Sequence, residues 1–531
     1  MALGGAALRL LGFGLLLLLV ACASLPPGLP RPVSEAIPAS PETELGRIAA
    51  ASLSGPDASG FRLMSWSAQA LDTRIALARS AQRSLDLQYY VIHDDEVGRH
   101  LLRTVREAAL RGVRVRLLLD DLYTAGMDPL LLGLAATPNI ELRLFNPFPA
   151  ARGSLLGRFT ASLFDIGRVN HRMHNKLFIA DGAMAIAGGR NIGNEYFMVH
   201  NGANYIDLDA FVAGATVPRL ASLFDQYWNS EFVYPLAAVV RNDEDPELLQ
   251  RRFVELTSAQ RAPEPKPAPQ GAKDLLGYVS IAEEMRSAGK IALVLASAEA
   301  FADAPEKVIN HKRSPLPGAA VEAPTVRSGL MNELLLARKE VLVSSPYLVP
   351  DRFVMEDIRE VRLWGVPITI ITNSLASTDE PIVHAGYQRY RHELVDLGVQ
   401  LYEVAPSRVA RHQKLGAFGQ SIGRFHAKAA AIDRQVIFVG SLNFDPRSAK
   451  HNTELGLLIR SPKLAEALLM LAELVKTEAA FRVRLSADKS HLQWHSTLED
   501  RQQTLDEEPD TSIWQRGFLW LIGPFVPEAL L

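Results

Sequence analysis

Two histidines, each followed two residues later by a lysine and seven later by an aspartate, are the residues of this chain best suited to chemistry. They are His174, Lys176 and Asp181 in HNKLFIADGAMAIAGGRN, and His426, Lys428 and Asp433 in HAKAAAIDRQVIFVGSLN. An asparagine follows each histidine by 17 residues, Asn191 and Asn443. Each set supplies a nitrogen nucleophile or acid-base group that titrates near neutrality, a cation, and an amide donor. Cleaving a phosphodiester asks for a nucleophile, an acid for the departing alkoxide, and fixed donors for the charge on the non-bridging oxygens. One copy alone would be a weak signal; two facing copies provide all three parts.

The elements that must position these residues are legible in outline. In KLFIADGAMAIAGG an Asp-Gly pair divides two apolar runs, and KAAAID and VIFVG flank Arg434-Gln435 in the same way, so each motif reads as a β-hairpin. Residues two apart on a strand share a face, which puts His174 with Lys176 and His426 with Lys428. Upstream, SLDLQYYVIHDD, GRHLLRTVREAALRG and VRVRLLLDD read as strand, helix and strand, and KEVLVSSPYLVP, RFVMEDIREVRLWG and VPITIITNS repeat the order. That is a right-handed βαβ unit and a mainly parallel sheet in each half. Gly112 precedes His174 by 62 residues and Gly365 precedes His426 by 61, so the halves are an internal duplication. With 531 residues, 48% of them hydrophobic, the chain can build two cores.

The spacing His-x-Lys-x4-Asp resembles the duplicated motif of the phospholipase D superfamily. The segments LDLQYYVIHDD, RMHNKLFIADG, GGRNIGNEYF and NFDPRSAKHNTELG, with the apolar tail, resemble its bacterial cardiolipin synthase branch over residues 60–475 and the C-terminus. The second copy continues into Gly440-Ser441-Leu442-Asn443 as the family prescribes, whereas the first reads Gly188-Gly189-Arg190-Asn191, with glycine in the place of serine. The resemblance implies an α/β fold of two pseudo-symmetric phospholipase D-like domains, each a mainly parallel or mixed sheet flanked by helices, with the active site at their interface. It implies phosphatidyl transfer without metal or other cofactor, on glycerophospholipids at a membrane. His174 would attack phosphorus and form a phosphatidyl-histidine, His426 would act as acid and then base, and Lys176, Lys428, Asn191 and Asn443 would hold phosphoryl oxygens. Asp207 in YIDLDAF and Glu454 in HNTELG would each orient the histidine of the opposite half. Asp181 and Asp433, motif members and so candidate catalytic residues, more naturally fix the hairpin turns.

The remaining sequence bounds the setting. Arg9 and the apolar run Leu10–Val20 read as a secretory signal (residues 1–21). Leu19-Val20-Ala21-Cys22 resembles a bacterial lipobox ending at the sole cysteine, which implies acyl chains on Cys22, and Ala23, by resemblance to Gram-negative lipoproteins, implies sorting to the outer membrane, facing the periplasm. Residues 22–60 read as an extended, solvated proline-rich spacer, 61–235 as the first domain, 236–275 as a linker, 276–475 as the second domain and 476–531 as a tail. Lys+Arg 56 against Asp+Glu 59 gives a net charge of -3, so no global field gathers nucleic acid, which disfavours a nuclease of the same superfamily. A hydrolase releasing phosphatidic acid stays open, and a non-catalytic binder fits poorly with two complete motifs. Both halves of the site lie in one chain, so no second copy is needed to complete it. His93, Asp94, Asp95, His384 and Tyr387 are weaker headgroup candidates, and Asp120-Asp121 reads equally as a cap. The tail SIWQRGFLWLIGPFVPEALL either dips into a membrane interface or packs on the body.

Overall fold

The computed structural model describes residues 30–308, 325–410, 421–498 and 501–528, together with Leu25, Leu415 and Gly416. Cys22 and the signal lie outside the described residues. Two large sheets carry the fold. From edge to edge the first runs Val294–Leu295, Ser59–Met64, Asp209–Gly214, Met184–Gly188, Leu177–Ala180, Ser84–Tyr89, Arg114–Asp120, Ile140–Phe145 and Val233–Pro235. The second runs Ser297–Ala302, Leu455–Arg460, Val436–Gly440, Ala429–Ile432, Val341–Ser344, Ile368–Asn373, Gln400–Val404, Ala480–Leu485, Leu492–Leu498 and Arg501–Leu505. From Ser59–Met64 and from Ser297–Ala302 onward, the two orders match strand for strand.

The sheets are mixed. Within these two sheets parallel pairing is confined to the βαβ strands, Ser84–Tyr89 with Arg114–Asp120 and Ile140–Phe145, and their counterparts in the second half. The motif hairpins and the strands beyond them are antiparallel, because a three-residue loop can only return the chain against itself. In both hairpins the first two loop residues are left-handed: Asp181 and Gly182 at φ +51° and +62°, Asp433 and Arg434 at +54° and +58°.

Three expected boundaries move. The proline-rich segment from residue 30 carries no helix or strand and keeps exposed side chains, but its backbone is tied to the first half rather than left as a free spacer. Buried Arg116 and Arg143 need acceptors and take the carbonyls of Ser34 and Pro32, while Trp228 donates its indole N–H to Ser34 Oγ. Ile37–Ala39 lie so close over Gly182 that a Cβ there would stand 2.3 Å from the Ile37 oxygen. The expected linker contains a helix, Pro246–Leu256, whose Phe253 is buried in the first core. The crossing comes later: Val294–Leu295 pairs with the first sheet and Ser297–Ala302 with the second, so residues 276–295 belong to the first half. The tail completes the second sheet with three strands before ending in the helix Ile513–Ile522. Among the described residues no helix is long and apolar enough to cross a membrane.

One apolar core belongs to both halves. Leu177, Ile179 and Val212 of the first sheet share a cluster with Ala429, Ile437 and Leu457 of the second. The motif hairpins therefore face each other across the shared core.

Candidate active site

The two histidines are brought together by the same hydrogen bond made twice. His174 donates its backbone N–H to the Thr453 carbonyl at 2.8 Å, and His426 donates to the Ile206 carbonyl at 2.8 Å. Each of those carbonyl residues immediately precedes an acid of the opposite half. As a result His174 Nδ1 lies 2.9 Å from Glu454 Oε2, and His426 Nδ1 lies 2.6 Å from Asp207 Oδ2. A short parallel ladder, Ala203–Ile206 on Ile422–Phe425, holds the second pair, and a bridge between Met173 and Thr453 holds the first. Asp120 reinforces it by accepting from the Met173 N–H and the Arg172 guanidinium. With Nδ1–H on a carboxylate, each histidine keeps its lone pair on Nε2, and that of His426 accepts from the Lys428 ammonium.

The lysines sit where the strand alternation requires. Lys176 donates to the His174 carbonyl at 2.6 Å with Nζ 5.2 Å above the Tyr90 ring, and the same ring meets His174 edge-on at 4.9 Å. Lys428 donates to the His426 carbonyl at 2.8 Å, with Nζ 2.9 Å from His426 Nε2. Both ammonium groups are buried. Burial draws Lys176 well below its usual value and brings Lys428 down to about 8, against the pull of Asp207 and Glu454. Two desolvated cations side by side are a site that gains from receiving an anion.

The acids differ between the halves. Burial raises Asp207, but His426, Lys428 and Arg190 more than offset this and leave its carboxyl below the ordinary range. Glu454 stays raised by burial, despite Lys176 and the Ser441 hydroxyl that donates to it. Burial, Lys176, Lys428 and His426 hold His174 well below an ordinary imidazole. His426 is lowered by burial and Lys428, with Asp207 pulling the other way. The unpaired glycine of the first motif also finds its reason: a Cβ on Gly189 would stand 2.2 Å from Asp207 Oδ1, so the shorter acid occupies the space that Ser441 fills beside Glu454.

The asparagines are not equivalent. The Asn191 amide already donates to the Tyr196 hydroxyl at 2.9 Å and accepts from the Val91 N–H, whereas buried Asn443 Oδ1 has no partner among the described residues. Asp181 and Asp433, candidates for catalysis by their motif, do not face the cleft. Asp181 accepts from the backbone N–H groups of Gln82, Arg83 and Ser84, and Asp433 from those of Arg338, Lys339 and Glu340, tying each hairpin loop to the start of the neighbouring strand. Asp121 anchors Arg152, Asp95 caps the helix Glu96–Leu110, and His93 pairs with Glu195. His384 and Tyr387 belong to a buried network with Arg391, Glu403 and Glu508 that pins the tail.

Sequence reasoning passed over the tyrosines. Tyr90 lies on His174, while Tyr196 and Tyr205 lie on His426 with centroids 5.4 and 4.9 Å away. Tyr205 and Tyr347 both donate to Asp379 Oδ2 at 2.9 Å, closing one wall of the cleft. Their signal was weak: aromatics at strand ends usually serve the core. His174 is 6% and His426 4% exposed, so both imidazoles are largely shielded from solvent. Among the described residues no group of three or more His, Cys, Asp and Glu is placed to hold a metal ion.

A family model described as cardiolipin synthase, PLD-like domain, matches residues 75–228 and again 330–472. The chain belongs to the cardiolipin synthase family of phospholipase D-like enzymes. It is 35% identical to cardiolipin synthase C of Escherichia coli over 487 residues, covering 90% of this chain and 97% of that protein. It is 24% identical to a cardiolipin synthase of Staphylococcus aureus, covering 75% of this chain and 63% of that protein. In fold it matches the crystal structure of a phosphatidylserine synthase of Haemophilus influenzae at a TM-score of 0.54 and 13% identity, over 90% of this chain and 96% of the other. The two blocks that match the family model each carry one His-Lys-Asn set, so the duplication read from spacing is the family's own.

Proposed function

We propose that this enzyme is a phosphatidyltransferase that moves a phosphatidyl group from one glycerophospholipid to the hydroxyl of another through a phosphohistidine intermediate. The observation that carries the reading is the crossed pair of histidines, each held by the acid of the opposite half beside a buried lysine. His174, neutral and with a partner acid raised by burial, is the nucleophile: its Nε2 attacks phosphorus as the bond to the leaving alkoxide breaks. His426, whose partner Asp207 stays ionised, supports the imidazolium needed to protonate that alkoxide, and then takes the proton from the incoming hydroxyl as it displaces His174. An entering phosphodiester anion favours that protonated state. Lys176 and Lys428 neutralise the phosphoryl oxygens beside imidazoles largely shielded from solvent, where such charges act most strongly.

We further propose that the mature chain is tethered to the envelope membrane by acyl groups on Cys22, with the catalytic body on the periplasmic side and the outer membrane favoured by Ala23. A mass-spectrometric product assay tests the chemistry. In mixed micelles of phosphatidylglycerol and phosphatidylethanolamine, the protein should form cardiolipin and the His174→Ala variant none. Phosphatidic acid as the sole product would make water the acceptor and the enzyme a hydrolase. No change in any lipid, with turnover of nucleic acid instead, would move the function to the nuclease branch.

A further inference from the structure

The helix Ile513–Ile522 buries only a narrow stripe. Leu519 is 2% exposed and packs with Ile522 against Leu375 and Ala385, while Arg389 donates to the carbonyls of Gly523 and Val526 and so clamps the end of the helix. The rest of its apolar surface is open: Trp514 is 84%, Trp520 78%, Phe525 82% and Ile513 70% exposed, with Phe518 and Leu521 also exposed. A soluble surface rarely gathers so many large apolar side chains in one patch, and Trp combines an apolar body with an N–H donor suited to the headgroup boundary. The only charged residue of the helix, Arg516, is engaged with Glu507 and Thr511.

The position of the patch bears on its occupant. Ala385, on which the helix rests, lies in the first turns of the helix Pro381–Asp396, and the two residues before that helix are Asp379 and Glu380. Asp379 holds Tyr205 and Tyr347 in the cleft wall beside His426. On the first half a second apolar surface, Leu156, Leu163 and Phe164, at 77%, 64% and 81% exposed, has a matching root. Phe159 of the same segment packs with Phe148 and Val169 against Tyr90, the ring that lies on His174.

We infer that the Ile513–Ile522 helix is a bilayer-docking element, which seats the catalytic cleft on the lipid surface, with the Leu156–Phe164 surface as the contact from the other half. The inference rests on the reading of the cleft as a phospholipid site. Docking is by apolar insertion and not by attraction to anionic lipid, because the helix's sole charge, Arg516, is paired with Glu507.

Cys22 is the sole cysteine, so Cys22→Ser gives a background in which one introduced thiol reports one position. Phe518→Cys and, as a control on an exposed polar face, Glu473→Cys would each be labelled with an environment-sensitive nitrobenzoxadiazole dye and mixed with phosphatidylethanolamine–phosphatidylglycerol vesicles. A several-fold, blue-shifted rise at 518, unchanged in molar salt and absent at 473, is expected. A dye at 518 that stays in water while the protein floats with vesicles overturns the inference, as does a dye buried without vesicles in a concentration-dependent way, which would make the patch a contact between copies. Replacing both indoles, Trp514→Glu with Trp520→Glu, should lower turnover of vesicle lipid by about tenfold or more and leave hydrolysis of bis(4-nitrophenyl) phosphate unchanged; equal losses on both substrates would also overturn it. Insertion at 518 in a protein that converts no lipid would leave docking intact and remove the phosphatidyl-transfer reading instead.

Discussion

At the scale of single residues the two copies of the motif are alike in chemistry and unlike in state, and the differences are the testable part. Lys428 stands at about 8 in the fold against about 10.4 in an unfolded chain, so the unfolded state binds its proton more tightly. Below pH 8 both states are charged and the fold carries the whole penalty; as pH rises from 8 toward 10, folded Lys428 is already neutral and stability climbs. Lys428→Met should therefore abolish turnover yet raise Tm by a few degrees at pH 7; a fall in Tm in scanning calorimetry would show that the ammonium is compensated where it lies. In the intact enzyme, KM for phospholipid should rise above pH 8 as the cation is lost, with kcat less affected because a bound phosphate restores the proton. Gly189→Ser copies the second motif into the first and should nonetheless cost activity. The new side chain would meet Asp207 and displace the acid that orients His426, so a drop in kcat of about tenfold or more is expected in the product assay.

At the scale of elements the hairpins and βαβ units were readable because their signals are local: apolar runs of strand length, loop residues between them, and a repeat at constant spacing. The turn acids follow the same logic. Asp181 is fully buried and accepts three backbone N–H bonds, while Asp433 does the same nearer the surface. Asp181→Ala should destabilise by about 2–4 kcal/mol and Asp433→Ala by less, and kcat/KM of the folded fraction should change little, as measured by urea titration beside the product assay. A large loss of kcat in a fully folded Asp181→Ala protein would return that residue to the chemistry. What composition could not show was who would use the polar backbone of a proline-rich segment. Residues 30–39 look like solvated spacer until buried Arg116 and Arg143 are seen to need their carbonyls. The handover from the first sheet to the second at Ala296 was likewise hidden, since two short strands in a row carry no mark of belonging to different sheets. The crossed acids were legible only through the family resemblance, because Glu454 lies 280 residues from His174 and no periodicity reaches that far.

At the scale of the whole molecule, the site exists only because two halves of similar topology share one core. The N–H groups of His174 and His426 both bond across the interface, and the cluster beneath them draws on both sheets. Independent domains would unfold in two steps and tolerate damage to one another; a shared core makes the catalytic geometry and the stability of both sheets one property. Ile437, fully buried in the second hairpin, tests this. Ile437→Ala should cost about 2–4 kcal/mol through lost burial and the cavity left behind. If the core is common, hydrogen exchange should quicken in peptides spanning 177–188 as well as 429–440, and activity should decline on heating along the same curve as both. Faster exchange confined to 429–440, with 177–188 unchanged, would mean that the first half holds its own and that the cleft is assembled by docking two separately stable bodies.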